Sequence, residues 1–356
     1  MKGAHSALRM GWTTGACSTA AVKAACLGLA TGTLPDRVVV ELPHGLTPVF
    51  DIHHGTHAGC TATASVLKDA GDDPDITHGA EIVVTVAPGP AGQGLLFRAG
   101  AGVGTVTRPG LPLAVGEAAI TPGPRAMIAR TIDAVRLHTP LPPDLSVTIG
   151  VTNGAVLARR TLNARLGILG GLSILGTTGV VVPYSCSAWV AALHRGVDVA
   201  RAAGLAHIAG ATGRTSEEAV RRLYDLPEMA LIDMGGFVGA LLNYLRRHPV
   251  PRLTLAGGFA KMTKLAQGAL DLHSQRSRFD PEPLARLAAG ASGAFIAVLA
   301  GAGSAGQALA LAQAEGIDLA GGVARKARAV AATVVGSSID IDVAVFDRTG
   351  ILLAMA

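Results

Sequence analysis

Hydrophobic and polar positions along the chain change their pattern after about Trp189. Upstream, an Ala-rich stretch over 17–29, led into by Thr13-Thr14-Gly15, predicts a helix with a hydroxyl cap candidate at its start. Short β-branched runs over 37–42, 48–53, 80–86, 94–98 and 145–151 predict strands. A second helix is expected over 122–137, with Pro122 and Pro124 near its start. Strands mixed with few helices, without strict alternation, predict an α+β two-layer sandwich.

Downstream, three units in a row read as strand, Gly-rich turn, helix. The first is 207–211, then Thr212-Gly213-Arg214-Thr215-Ser216, then a helix from Glu217. The second is 230–233, Gly235-Gly236 and a helix to about Arg246; the third is 252–255, Gly257-Gly258 and a helix through Lys261 and Leu270. Such a series predicts a Rossmann-like, three-layer parallel sheet whose ligands sit at the carboxyl ends of the strands. The tail over 339–353, broken at 347–350, predicts a closing β-hairpin. An uncharged run over 290–314 is long enough to cross a membrane but carries many Gly, Ser and Gln residues, so a buried pair of Gly- and Ala-packed helices is the better reading. The expected fold class is therefore α/β and α+β in two domains, 1–190 and 191–356.

Composition narrows the function classes. The 356 residues are 49% hydrophobic, with a mean hydropathy of +0.43, enough for two cores. Cys17, Cys26, Cys60 and Cys186 are widely spaced and never form Cys-x-x-Cys, which argues against a disulfide framework or a structural zinc site and fits a reducing cytoplasm. Residues 1–6 lack an apolar segment, so no secretory signal is expected. The net charge is +5, but the basic residues are scattered and only 3% of residues are aromatic. That combination suits a small polyanionic substrate better than a nucleic acid.

The densest chemistry lies over 68–79, where Lys68, Asp69, Asp72, Asp73, Asp75 and His78 crowd a chain that is only 15% charged. Two glycines and Pro74 make this a loop, and its spacing fails the EF-hand pattern. His53, His54, His57 and Cys60 form a second polar cluster. In a strand His53 and His57 would share a face, but no carboxylate partner is evident, so a surface His cluster is the default. Gly100-Ala101-Gly102-Val103-Gly104 could cradle phosphate, although no Walker lysine follows it. The turns Gly235-Gly236 and Gly257-Gly258 recur at equivalent positions of the βα series, and Asp233 at a strand end could accept from a ribose diol. The stretch from Thr161 to Gly179 holds five glycines among hydroxyls and core-forming Ile and Leu, which suits a backbone brought close to a ligand.

Four segments together resemble one family. They are Leu8-Arg9-Met10-Gly11-Trp12-Thr13-Thr14-Gly15, the run Lys68 to Gly79, the runs Gly102-Val103-Gly104 and Thr107-Arg108-Pro109-Gly110-Leu111 to Pro122-Gly123-Pro124-Arg125, and Thr161 to Gly179. This combination resembles the cobalt-precorrin-5B C1-methyltransferases of anaerobic-type cobalamin biosynthesis. The likeness covers about the first half and returns at Gly235 to Gly239 and Gly257 to Ser274. Departures lie mainly in the second half. The family pattern Gly-His-Ile-Gly-Lys is replaced by Gly257-Gly258-Phe259-Ala260-Lys261, Asn-Thr-His-Ser by Asp271-Leu272-His273-Ser274, and the usual Asn by Thr121. These changes put position 258 in doubt and leave Lys261, Lys264 and His273 as candidates.

The resemblance implies methyl transfer from S-adenosylmethionine to C1 of cobalt-precorrin-5B, giving cobalt-precorrin-6A, by a cytoplasmic enzyme with no protein-bound metal, because the cobalt arrives inside the substrate. It implies no nucleic-acid or membrane partner and leaves a homo-oligomer open. Arg9, Lys68, Arg108, Arg125 and Arg165 are then expected as forks for the substrate carboxylates, with Thr13, Thr14, Gly15, Thr177 and Thr178 against the macrocycle. Asp72, Asp75 and His78 are the catalytic candidates. The donor is expected near Thr212, Gly213, Asp233, Gly235, Gly257 and Lys261, with the corrinoid between the two domains. The alternatives are a non-catalytic corrinoid-binding or scaffold protein of the same pathway, and an enzyme using nucleotide phosphates at Gly100–Gly104.

Overall fold

The computed structural model describes residues 8–273, 277 and 279–356. It is a mixed α/β protein that divides into two compact units, Met1–Cys186 and Ser187–Ala356. Ser274 and the first six residues lie outside the described residues.

The first unit is built on the helix Thr14–Thr31. Thr13 caps it, its Oγ1 accepting from the Ala16 N–H at 3.1 Å, and Gly32 ends it in the left-handed region at φ +78°. Ala16, Ala20, Ala21, Ala24 and Ala25 are fully buried, so the helix is packed nearly all round. It lies against the strands Thr61–Leu67 and Glu81–Pro88 and also against the helix Pro122–Arg136. Residues this small let backbones approach closely.

The main sheet of this unit has the order His54–Ala58, Thr61–Leu67, Glu81–Pro88, Leu145–Val151, Leu95–Ala99. All neighbours pair antiparallel except the last two, which run parallel. Ile82, Val84, Val86, Val147 and Ile149 are buried on one face, while Val83, Thr85 and Thr148 alternate with them on the other.

The strands at 81–88, 95–99 and 145–151 fall close to where β-branched runs predict them. The hairpin 54–67 has no such signal. Of its core-facing residues Ala62, Ala64 and Val66, the first two are small because the Ala-rich helix sits directly over them. Small cross-layer contacts replaced the usual β-branched signature.

In the second unit the sheet order is Leu231–Asp233, His207–Ala211, Arg252–Gly258, Asp340–Phe346, Leu352–Met355. The first four strands are parallel and the last is antiparallel. The pleat separates two cores. Ala209, Ala211, Ala256, Ala344 and Phe346 meet the helix Arg214–Tyr224 side, whereas Ile208, Ile232, Leu255 and Val343 pack with Leu241, Met262 and Val323 on the other. The tail forms the expected antiparallel pair, and its first strand also joins the parallel sheet beside 252–258. The helix after Gly258 spans Phe259–Ala266, shorter than expected, because Gly268 turns the chain at φ +89°. The uncharged run carries two short helices, Gly293–Ala300 and Ala305–Ala314. No helix among the described residues is long and apolar enough to cross a membrane.

The close packing around the first helix yields a stability test. Ala24→Leu inserts three heavy atoms where nothing is exposed, and is expected to cost about 1–3 kcal/mol. The check is a lower urea midpoint at unchanged slope for that transition.

Candidate active site

In the first unit, the 68–79 loop closes around a buried ammonium. The Lys68 side chain is 1% exposed, and its Nζ donates to Asp75 Oδ2 at 2.8 Å. The other Asp75 oxygen accepts from the N–H and hydroxyl of Thr77, both at 2.7 Å. Burial works against the Asp75 charge, but the Lys68 ammonium and these hydrogen bonds outweigh it and hold its pKa below the ordinary carboxylate value. Lys68 is therefore corrected from a substrate fork to an internal strut. An ammonium this deep cannot exchange its partner for a ligand without exposing the loop.

The same loop grips the N-terminal segment. The Arg9 guanidinium binds both oxygens of Asp69, with Nη2 at 2.9 Å from Oδ1, and this hydrogen bond is the main reason Asp69 is held down at about 2. The Arg9 N–H donates to Asp72 Oδ2 at 2.6 Å and the Trp12 N–H to the Asp69 carbonyl at 2.7 Å. Asp73 accepts from the Tyr184 N–H at 2.8 Å. The fit is so close that a Cβ on Gly11 would lie 2.0 Å from the Ala70 carbonyl carbon. The Ala70 N–H donates to His78 Nδ1 at 3.1 Å, which leaves the proton of the neutral ring on Nε2. So Asp72, Asp75 and His78 share one loop but bind separate partners, and each is engaged in holding that loop.

The segment 13–15 packs against residues 175–176, just before Thr177 and Thr178. The Gly15 N–H donates to the Leu175 carbonyl at 3.0 Å, and the Leu175 N–H donates to Thr14 Oγ1 at 3.0 Å. Gly176, at φ +120°, passes directly over Thr13. Thr13 and Thr14 are buried and use their hydroxyls internally, while Thr177 and Thr178 face outward.

Arg125 is also corrected. Its guanidinium donates to the Ile120 carbonyl (2.7 Å), Glu117 Oε1 (2.9 Å) and the Ala118 carbonyl (3.2 Å), and stacks over Phe97. Those bonds fill it as a strut. Arg108 differs. Its stem packs on Gly167, and its guanidinium makes no hydrogen bond or ion pair among the described residues. Arg165 is half-buried on the neighbouring segment.

Gly100, Ala101 and Gly102 line a shallow depression of about 670 Å³ on the outer face of the sheet, with Thr85, Thr148, Thr152 and Asn153. Three N–H groups of the 100–104 run are already committed, from Gly100, Val103 and Gly104 to the carbonyls of Ile149, Gly100 and Leu172. A phosphate cradle needs those donors free.

The second unit holds a cavity of about 670 Å³ at the carboxyl ends of its strands. Thr212 and Gly213 follow the strand 207–211, Gly258 to Lys261 close the strand 252–258, and Asp347 and Arg348 follow the strand 340–346. Ser304 and Gln307 complete it. The chain turns to opposite sides after the strands 207–211 and 252–258, so this is the switch point of the sheet order. Three helices start here, Arg214–Tyr224, Phe259–Ala266 and Ala305–Ala314, each presenting the positive end of its dipole. Lys261 reaches the Thr212 carbonyl, and burial lowers its pKa despite the nearby Asp233 charge. Asp347 Oδ1 accepts from the N–H groups of Thr349 and Ile351 and the Thr349 hydroxyl, all at 2.8 Å.

Of the residues expected near the donor, Thr212, Gly213 and Lys261 line this cavity. Gly257 does not. A Cβ there would lie 2.5 Å from Met262 Cε and 2.9 Å from Thr212 Oγ1, so it is a packing glycine. Asp233 and Gly235 lie at the end of the adjacent strand, where Trp189 donates to the Asp233 carbonyl and covers Gly235. Asp347, Arg348, Ser304 and Gln307 were not foreseen. The break at 347–350 was visible in the sequence, but nothing there showed that its strand joins the parallel sheet.

No disulfide joins cysteines among the described residues, and burial pushes Cys17 and Cys26 up to about 12, so neither is a thiolate at neutral pH. His53, His54 and Glu81 offer ligand atoms within 4.8 Å of one another.

Both units therefore present features of a small-molecule enzyme of mixed α/β architecture. The comparisons narrow this class. The CbiD family model matches residues 1–183, and the model of the CbiD C-terminal domain matches residues 271–356. The chain is 54% identical over 350 residues to the cobalt-precorrin-5B C(1)-methyltransferase of Brucella abortus (strain S19), covering 98% of this chain and 95% of that one. It is 53% identical, at the same coverage, to the enzyme of that name from Brucella anthropi. The crystal structure of a cobalamin biosynthesis protein (cbiD) from Archaeoglobus fulgidus aligns at 26% identity and a TM-score of 0.40, covering 76% of this chain and 83% of that one. The chain belongs to the CbiD family.

The buried ion pair carries a pH test. Asp75→Asn leaves the Lys68 ammonium without a charged partner and is expected to cost about 3–5 kcal/mol at neutral pH. The folded pKa of Asp75 lies below its unfolded value, so its contribution is full above about pH 4 and is lost as pH falls through the folded pKa. Urea titrations from pH 7 to pH 2 check this: the gap between wild type and variant narrows at the acid end.

Proposed function

We infer that this protein methylates C1 of cobalt-precorrin-5B, with S-adenosylmethionine as donor, in cobalamin biosynthesis. The observation that carries the reading is the 54% identity over 98% of the chain to enzymes named for that reaction. The cavity at the switch point of the second sheet supports a donor site there. With it goes the finer fold reading, a two-layer α+β unit for the corrinoid followed by a Rossmann-like three-layer unit for the donor.

The cavity residues fit the donor's amino-acid and ribose parts. Three helix N-termini and Lys261 favour a carboxylate, and Asp347 is a ready acceptor for hydroxyl or ammonium donors. The donor supplies an activated methyl group on a sulfonium. The task of the protein is then chiefly positioning, an effect worth up to about 7–11 kcal/mol when reactants are held in line. The rigid 68–79 loop, fixed by Lys68 and by Arg9, serves this as scaffold for the 9–15 segment. Arg108 is the fork best placed to take a substrate carboxylate, because its guanidinium is uncommitted and its stem is seated. The loop carboxylates act through the frame they hold.

Two outcomes test the assignment by parts. Gly258 has ordinary backbone angles and open space where its Cβ would be, so Gly258→Leu folds normally and projects into the cavity. It is expected to weaken adenosylmethionine binding at least tenfold by calorimetry, while Gly258→Ala binds as wild type. Arg108→Ala is expected to lower kcat/KM for the corrinoid roughly 10- to 100-fold, the loss of one charged hydrogen bond of about 1.5–3 kcal/mol, with donor affinity unchanged. The reaction itself is checked by incubating protein, cobalt-precorrin-5B and methyl-labelled donor without oxygen. Absence of label at C1 refutes the enzyme reading, and tight corrinoid binding without donor affinity identifies a binding protein instead.

A further inference from the structure

We propose that His53, His54 and Glu81 form a divalent transition-metal site of the zinc type on the outer face of the first unit's sheet. Nothing in the methyltransfer reading uses these residues. Consecutive strand residues normally point to opposite faces, but the chain bends at His53, and the two imidazoles end with ring centroids 4.0 Å apart. One residue, Ser65, organises the group. Its carbonyl accepts from the His53 N–H at 2.8 Å, its Oγ accepts from the His54 N–H at 3.1 Å, and the same hydroxyl donates to Glu81 Oε1 at 2.7 Å. Thr152 donates to the other Glu81 oxygen at 3.2 Å.

Two imidazoles and a carboxylate form a ligand set that zinc accepts, with the Glu81 carboxylate held by the Ser65 and Thr152 hydroxyls and both histidine backbones fixed on Ser65. Their ligand atoms lie within 4.8 Å of one another. Ligand bonds of about 2.0–2.2 Å in a tetrahedron bring such atoms to about 3.3–3.5 Å. Both imidazoles are exposed, so side-chain rotation supplies the closure without moving the sheet. Three protein ligands leave an open position for water or an oxyanion. Thr152, which holds Glu81, also lines the shallow depression beside it. His57 and Cys60, suspected from sequence spacing, take no part in this group. The missing carboxylate of that earlier reading is Glu81, twenty-eight residues beyond His53 and brought near by the antiparallel pairing of the strands 61–67 and 81–88.

The test uses untagged full-length protein, with Zn²⁺ titrated against a chromogenic chelator and Co²⁺ binding followed by visible absorption. One Zn²⁺ per chain is expected. His54→Ala and Glu81→Gln should each weaken it at least tenfold. Ser65→Ala should weaken binding with all three ligands retained, and His57→Ala should leave it unchanged. Circular dichroism confirms that each variant is folded, and Zn²⁺ should raise the Tm of wild type but not of His54→Ala. The proposal is overturned if wild type takes up no stoichiometric metal, or if His54→Ala and Glu81→Gln bind as wild type does. It is equally overturned if His57→Ala loses binding to the same extent.

Discussion

An ammonium sealed inside protein must keep a negative partner, and in the first unit that requirement falls on Lys68. Its Nζ meets Asp75, its N–H donates to the Ala80 carbonyl, and its carbonyl accepts from the Gly79 N–H. The two ends of the 68–79 loop are therefore tied at one residue. With the base fixed, Asp69, Asp72 and Asp73 are left to face the 9–12 segment and Tyr184, where they bind backbone and the Arg9 guanidinium. The exposed Arg9–Asp69 pair contributes little by itself. Its value is geometric: it places residues 9–12 so that the Thr14–Thr31 helix starts under Leu175.

A different constraint shapes the second unit. In a parallel sheet every strand ends at the same edge, and each following helix begins there. The Gly-rich turns are short enough that the helices Arg214–Tyr224 and Phe259–Ala266 start around one cavity, where the start of Ala305–Ala314, which follows another helix, joins them. Small residues make room for this. Ala209, Ala211, Ala256 and Ala344 line one face of the sheet and let the Arg214–Tyr224 helix seat closely. Gly257 is bare because Thr212 and Met262 already fill its space.

Much of this was legible in the chain. The βα series announced itself through a strand run followed by glycines and a hydroxyl-rich turn, and the structure places Thr212, Gly213 and Lys261 around one cavity. The density of carboxylates over 68–79 marked a special loop, yet it pointed to chemistry where the geometry shows tethering. A carboxylate looks the same in a sequence whether its partner is a ligand or a backbone N–H sixty residues away. The 54–67 hairpin was hidden for another reason. Two of its three inward residues, Ala62 and Ala64, answer to an Ala-rich helix and are small, which leaves Val66 as the one β-branched residue on that face of the strand 61–67. Glu81 was invisible as a partner of His53 and His54 because strand pairing, not spacing, brings it there.

The charge around the second cavity bears on rate as well as on binding. Helix starts, Lys261, Arg214 and Arg348 make this rim positive, with Asp347 its only acidic member among the residues that line it. A positive rim attracts a carboxylate and disfavours a neighbouring sulfonium. Methyl transfer discharges that sulfonium to a neutral thioether, so the unfavourable part of the field fades as the transition state is approached while the carboxylate contact persists. Only interactions that differ between ground and transition state accelerate the step. On the proposed donor site, one set of residues would do two jobs: the carboxylate end anchors, and relief at the sulfonium end lowers the barrier. Lys261 belongs to the carboxylate end of that arrangement, where burial lowers its pKa and the nearby Asp233 charge opposes the shift.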